Sequence, residues 1–432
     1  MSVETPLKLA IIGGGLAGVT LGNALIQHPH IEVHIYESAP QFSERGAAVG
    51  LAINAQTALH QLLPQASEML TKTGAVPMNS TRVMVGGGPY TGDLVFDLAG
   101  TDPGVVIHRA SLLRELLAPL PKEALHVNKK LSKISESSSG VEVSFTDGTT
   151  VLFDAVIGAD GIFSTVRDYV LRDVQGIKDD CKASPAGFWD CRNLVPFEKA
   201  KAALGEELFK LDRQYGWVSD GAFIMHDVLE NGTIVQCVIC AVEKDQPQDR
   251  GRPLTKELLD AALANSIESA HTKAMIDLLL DQPEPKCYSE WEHKKTPTYV
   301  SGRVCIIGDA AHATTPWQGS GAGMAIEDAM VLGKLLANVR SPSEVQAAFL
   351  AFNDVRLPRC QRIIDSSRET GTIFCGQDPE ARLKPEKLKE ALMMRWGHIY
   401  GIDHEEHIAE ALRKFETLLT FVLAQGGKLY VV

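Results

Sequence analysis

Leu7-Lys-Leu-Ala-Ile-Ile-Gly-Gly-Gly-Leu-Ala-Gly18 decides the fold. An apolar strand runs directly into a glycine turn, and the turn opens a helix. Gly13, Gly15 and Gly18 carry the G-x-G-x-x-G spacing. Glu37 stands nineteen residues beyond Gly18, after the apolar run Val33-His-Ile-Tyr36. Glycines at these positions let the backbone approach a pyrophosphate. The helix N-terminus offers free N–H groups and positive dipole, and the carboxylate at the second strand's end accepts bonds from ribose hydroxyls. A tight turn or helix C-cap does not explain why the glycines follow a strand. The segment is a dinucleotide site, with the dinucleotide still unspecified.

Outward from this turn, the 432-residue chain has room for two or three domains. Its 45% hydrophobic and 22% charged residues are ordinary for a globular protein. A net charge of −12 with no Lys/Arg run argues against nucleic acid and anionic membranes as partners. The start, Met-Ser-Val-Glu-Thr-Pro, leads at once into the first strand without a signal-peptide pattern, so a cytoplasmic protein is expected. The eight cysteines are scattered. Cys237 and Cys240 sit three apart in a strand-like run, on opposite faces, which suits buried thiols and not a disulfide or shared metal.

Further along, Val141, Val143 and Phe145 alternate, Asp147-Gly148 signals a hairpin, and Val151 and Phe153 alternate back. Gly158-Ala-Asp-Gly161 follows a short buried strand, with a helix start near Ser164. From about 180 to 295 strand-like runs mix with charged helical segments. At Arg303-Val-Cys-Ile-Ile the first texture returns, followed by Gly308-Asp309, a loop to Gly323 and a helix from Met324 to about Asn338 with Glu327 and Asp328 in its first turns. Ser341-Pro-Ser-Glu344 reads as a capping box opening another helix, which Pro358 should break or kink. The tail from Pro385 to Leu423 is helical by pattern. The reading is α/β: a discontinuous Rossmann-like domain (1–178 and 296–375), an inserted mixed β-sheet substrate domain (179–295) and a helical C-terminal segment (376–432).

Three segments together exceed what a nicotinamide dehydrogenase needs. Asp309 at a strand end suits ribityl hydroxyls, and a helix N-terminus after the glycine loop suits the pyrimidine side of a flavin. Gly13–Gly18, Gly158–Arg167 and Gly308–Ala329, with Arg109 in His-Arg-Ala-Ser-Leu, Arg356-Leu-Pro-Arg359 and the tail Arg395–Asp403, give the chain a resemblance to a known family. It resembles the single-component (group A) FAD-dependent aromatic hydroxylases, in the salicylate hydroxylase-like branch. The resemblance implies FAD as resident cofactor, NADH or NADPH as transient co-substrate, dioxygen, and a small phenolic or aromatic substrate. The reaction it implies is hydroxylation through a flavin hydroperoxide. The first expectation is decarboxylative attack on a salicylate-type ring. The alternatives are a fungal-type polyketide or alkaloid tailoring reaction and, more remotely, a flavin-binding sensor. The family pattern allows a monomer or a homodimer.

By the same resemblance Glu37 holds the adenosine ribose, while Arg45, Gly50 and Arg109 line the cofactor cleft. Asp160 serves cofactor and reductant, Asp309 the ribityl chain, and Pro316, Gly321 and Ala322 border the flavin ring. Arg192, in Cys191-Arg-Asn-Leu-Val-Pro196, matches an Arg-x-Leu-(Val/Ile)-Pro stretch that opens the substrate sheet. It clamps a phenolate or carboxylate, or else forms a surface ion pair. His226 replaces a tyrosine common in relatives; it either accepts the phenol proton or is a structural histidine. Arg192 and His226 are therefore the catalytic candidates. Trp217 and Trp317 border the pocket or fill the core, His312 packs or supports the flavin, and His293 looks solvated. No metal-ligand spacing is present.

Overall fold

The computed structural model describes residues 6–43, 48–78, 81–98, 104–174, 181–211, 213–245, 249–266 and 270–424. A six-stranded sheet runs in the order Val300–Ser301, Val304–Ile306, Ala155–Gly158, Leu7–Ile12, Ile31–Tyr36, Leu125–His126. All its pairings are parallel except the outer Val300–Ser301 with Val304–Ile306. Its central strands are near-continuous apolar runs because both faces are covered; Leu9, Ile11, Val156 and Ile306 are wholly buried. Strands from near residues 10, 157 and 305 thus share one sheet, as the returning sequence texture implies. The Asp147-Gly148 hairpin forms, with Gly148 at φ 85°.

A second, eight-stranded sheet runs Gly251–Pro253, Lys286–Glu292, Ser184–Pro196, Ile234–Val242, Ala222–Leu229, Gln214–Ser219, Thr81–Val85, Leu94–Asp97. Its last two strands come from inside 1–178, so the roof extends beyond the expected insertion. Thr81–Val85 adds in parallel to Gln214–Ser219, a long-range pairing that no local signal announces. One face of this sheet packs against Leu204, Leu259, Met275 and Leu279 of its covering helices. The other packs against Trp317, Phe374, Leu388 and Leu392. Cys237 lies with the first cluster and Cys240 with the second, and both thiols are free, as alternation requires.

The helix after the glycine loop begins at Gly321, a turn earlier than expected, and ends at Ala337. Glu327 and Asp328 therefore do not cap it; they are wholly buried charges. Arg356 donates to Glu327 Oε2 at 2.7 Å and Asp328 Oδ1 at 2.9 Å, and Arg359 donates to both Glu327 oxygens at 2.8 Å. These ties explain why the Val345–Phe374 helix runs unbroken through Pro358. Proline removes one N–H, but guanidinium anchors on either side and buried Phe349, Phe352 and Ile363 hold the backbone helical. The expected capping box does not form: Ser341 makes no side-chain cap bond, and Glu344 accepts the Arg340 N–H at 2.7 Å. The C-terminal segment forms the helices Pro385–Met393, Gly397–Tyr400 and His404–Ala424.

Candidate functional site

The parallel strands of the first sheet bring their carboxyl ends to one edge, where open α/β sheets bind ligands. Gly13 turns there with φ 114°, and a Cβ on it would lie 2.2 Å from the Ala159 carbonyl oxygen. A Cβ on Gly18 would lie 2.1 Å from the Gly13 carbonyl oxygen. Both positions therefore need glycine for close packing. Gly15 caps the Leu16–Leu25 helix with no side chain, and no acid sits in its first turn. Its N-terminal dipole is left for an anion. Glu37 Oε2 accepts the Gly14 N–H at 2.9 Å, and Oε1 accepts the Ala39 N–H at 2.7 Å, so the ribose-binding candidate is tied to the turn. Gly50 lies in the strand Ala48–Leu51 with open space where a Cβ would stand. Arg109 begins the Arg109–Leu117 helix and is half-buried. Arg45 lies outside the described residues.

The second and third motifs are pinned together by Arg167. Its buried guanidinium donates to the carbonyls of Cys181 and Ala310 at 2.9 Å, to Ala311 at 3.1 Å and to the Thr296 hydroxyl at 2.9 Å. Asp160 spends both oxygens on the start of the Thr165–Val170 helix, accepting from Ser164 Oγ and from the N–H groups of Thr165 at 2.8 Å and Val166 at 3.2 Å. Asp309, in contrast, is exposed at the end of strand Val304–Ile306. Pro316 opens a short turn ending in Gly319, where a Cβ would meet nothing within 4 Å. Gly321 and Ala322 form the first turn of a 17-residue helix with no acid there and no side-chain cap, since Ser320 Oγ donates to Gln318 O. Two uncapped helix ends, a free carboxylate and glycine-lined space fit a dinucleotide carrying a flavin.

His312 is buried and bonds Asp328 Oδ2 at 2.5 Å, and although burial opposes the charge, the neighbouring carboxylate holds its pKa well above the ordinary value. His312, Asp328 and Cys360 lie close enough to hold a metal ion. However, Arg356 already bonds Asp328 and approaches the Cys360 sulfur at 3.5 Å, so a cation occupies that role.

The substrate candidates separate. Sheet register pairs Arg192 with Val238 and Met225 with Val238, placing Arg192 on the face toward Trp317. His226 pairs with Cys237 and lies on the opposite face, beneath the helices. There it stacks with Tyr215 and Phe209 at 5.3 Å and Trp217 at 5.7 Å. Burial, then His271, pushes its pKa down to about 3. His226 is thus a core histidine, and the expectation that it takes a phenol proton gives way. Trp217 belongs to that core, whereas Trp317 meets Phe188 edge-on at 5.2 Å on the Arg192 face. His293 is also a correction. It is fully buried, bonds the Ile162 carbonyl at 3.0 Å, and burial pushes it to about 3.

Arg192 donates to Asp190 Oδ1 from Nη2 at 2.6 Å and from Nε at 3.1 Å, with 39% of its side chain accessible. Its strand is paired on both sides, and this face of the sheet packs toward Trp317 and Phe374. Glu290, overlooked in the sequence, lies on the same face and is 5% exposed. Its signal was Ser-Glu-Trp-Glu, in which Glu290 and Glu292 share one face of a strand.

Comparison with known proteins converges on this arrangement. The FAD binding domain family matches residues 7–367. The 6-methylsalicylate 1-monooxygenase of Aspergillus terreus is 33% identical, over 97% of this chain and 94% of that protein. A salicylate hydroxylase of Pseudomonas putida is 31% identical, over 94% of each. A solved salicylate hydroxylase substrate complex superposes with TM-score 0.82 at 26% identity, covering 94% of this chain and 98% of that one.

Proposed function

The chain belongs to the FAD-dependent monooxygenases of the salicylate hydroxylase type, and on that premise we propose that it hydroxylates a phenolic ring at the expense of NADH or NADPH. The observation that carries the proposal is Arg192, a solvent-accessible cation on the covered face of the second sheet, opposite the Pro316–Ala322 segment. When bound, reduced FAD supplies the activated oxygen, one atom entering the ring and the other leaving as water. The protein's part is to bind, orient and exclude water. The glycine turn takes the pyrophosphate, Glu37 the ribose and Asp309 the ribityl hydroxyls. Pro316, Gly321 and Ala322 border the ring system, and Gly50, Arg109 and Asp160 flank the cleft. Arg192 holds the substrate's ring oxygen as phenolate, which enriches the ortho and para carbons in electrons. The aromatic wall of Phe188, Phe223 and Trp317 keeps water from the reacting carbon.

Two versions differ in the substituent beside the phenol. With a carboxylate at the attacked carbon, carbon dioxide leaves. With an uncharged group, hydroxylation occurs at a free position. The test is NAD(P)H oxidation by the FAD-loaded protein across a panel of phenols, with product mass under isotopically labelled dioxygen. Stimulated oxidation and one labelled oxygen in the product are expected. Absence of stimulation by every phenol overturns the proposal.

A further inference from the structure

Glu290 stands on the substrate face with Asp190 and Arg192, and all three belong to adjoining strands. Glu292, two residues on and pointing the same way, reaches across to Arg368 of the Val345–Phe374 helix at 2.5 Å. That contact fixes the direction of this face, toward the first domain. Among the described residues Glu290 makes no such ion pair. Neither carboxyl oxygen makes a well-formed hydrogen bond, nor does the indole N–H of Trp317 that approaches it. A buried polar group left unsatisfied carries a desolvation cost that nothing in the fold offsets. Such groups occur where something else completes them. The local charge is also telling. Arg192, the cation of the face, is already matched by Asp190 at 2.6 Å. With Asp190 and the bound phenolate already beside Arg192, a substrate carboxylate would be a third negative charge around one guanidinium.

Resting on the phenol-hydroxylase reading, we infer that Glu290 is a specificity residue whose carboxyl hydrogen-bonds an uncharged acyl oxygen on the substrate, so that the enzyme takes hydroxyaryl ketones or aldehydes in preference to hydroxybenzoates. Burial, reinforced by Asp190, pushes the Glu290 carboxyl well up, leaving it an O–H donor, the form that suits a carbonyl acceptor.

The experiment uses the FAD-loaded protein and three probes: phenol, 2-hydroxyacetophenone and salicylate. Calorimetry gives dissociation constants, and NAD(P)H oxidation gives turnover. The ketone should bind at least tenfold more tightly than salicylate. Glu290→Leu, which deletes the donor, should lower the ketone-to-phenol affinity ratio about tenfold. Glu290→Gln, which keeps a donor in the same shape, should lower it less than threefold. A purely structural Glu290 would weaken both ligands together and leave the ratio unchanged, which overturns the inference. Salicylate binding as tightly as the ketone overturns it too, while leaving the hydroxylase reading intact. Failure of all three probes to bind or to stimulate oxidation removes both.

Discussion

Replacing His226 by phenylalanine should flatten the enzyme's acid sensitivity by a calculable amount. His226 is wholly buried among Tyr215, Phe209 and Trp217, with its pKa lowered from 6.5 to about 3. Between those two values the unfolded chain binds a proton that the folded chain refuses. Unfolding then takes up protons, so stability falls as pH drops below 6.5. From pH 7 to pH 5 the histidine's share of that loss is about 2 kcal/mol. Other groups add terms of either sign; Asp227, raised by burial to about 6, gains stability over the same interval. Comparing wild type with His226→Phe cancels these terms. Any overpacking cost of the larger ring, about 1–3 kcal/mol, is the same at both pH values and also cancels. The assay is urea unfolding followed by tryptophan fluorescence at pH 7 and pH 5, since Trp217 touches the replaced ring. The wild type should lose about 2 kcal/mol more than the variant on acidification. Parallel losses, within about 0.5 kcal/mol, would mean that His226 titrates normally in the folded protein and that its placement in the core is mistaken.

Other consequences are equally direct. Gly13→Ala forces a Cβ to 2.2 Å from the Ala159 carbonyl at φ 114°, so the purified variant should carry little FAD, read from its visible absorbance. Arg356→Met removes the guanidinium that Glu327 and Asp328 share, leaving Arg359 and His312 to hold them, and should cost about 3 kcal/mol, seen as a lowered melting temperature. Arg192→Gln keeps the shape but removes the cation, and should lower kcat/KM for phenols about 10²-fold while FAD content stays normal.

What could be read in advance was what local chemistry decides. Gly13 and Gly18 are legible because backbone crowding excludes any side chain there, whatever surrounds the turn. Asp309 and Gly321 are legible because a strand end and a helix start are written side by side. The errors arise where distant contacts decide. Pro358 reads as a break, yet Arg356 and Arg359 beside it are held by carboxylates some thirty residues earlier. His293 sits among lysines and glutamate and so looks solvated, but its backbone N–H bonds the Ala313 carbonyl and its ring the Ile162 carbonyl. His226 and Arg192 are both plausible substrate contacts in the chain. Only the register across three strands shows that they point to opposite sides. Glu290 was invisible because alternating acids on a strand ordinarily mark a wet face.

The shared sheet built from strands near residues 10, 157 and 305 has a consequence for synthesis. Ala155–Gly158 emerges from the ribosome about 150 residues before Val304–Ile306, its neighbour on one side. At about 5–20 residues per second, that apolar edge waits roughly 7–30 s for its partner. The nascent chain must pass this interval with an open parallel edge, and Arg167 cannot reach the Ala310 and Ala311 carbonyls until it ends. The nucleotide cleft is therefore finished late in translation, and its unfinished form is the species that chaperones must shield from aggregation.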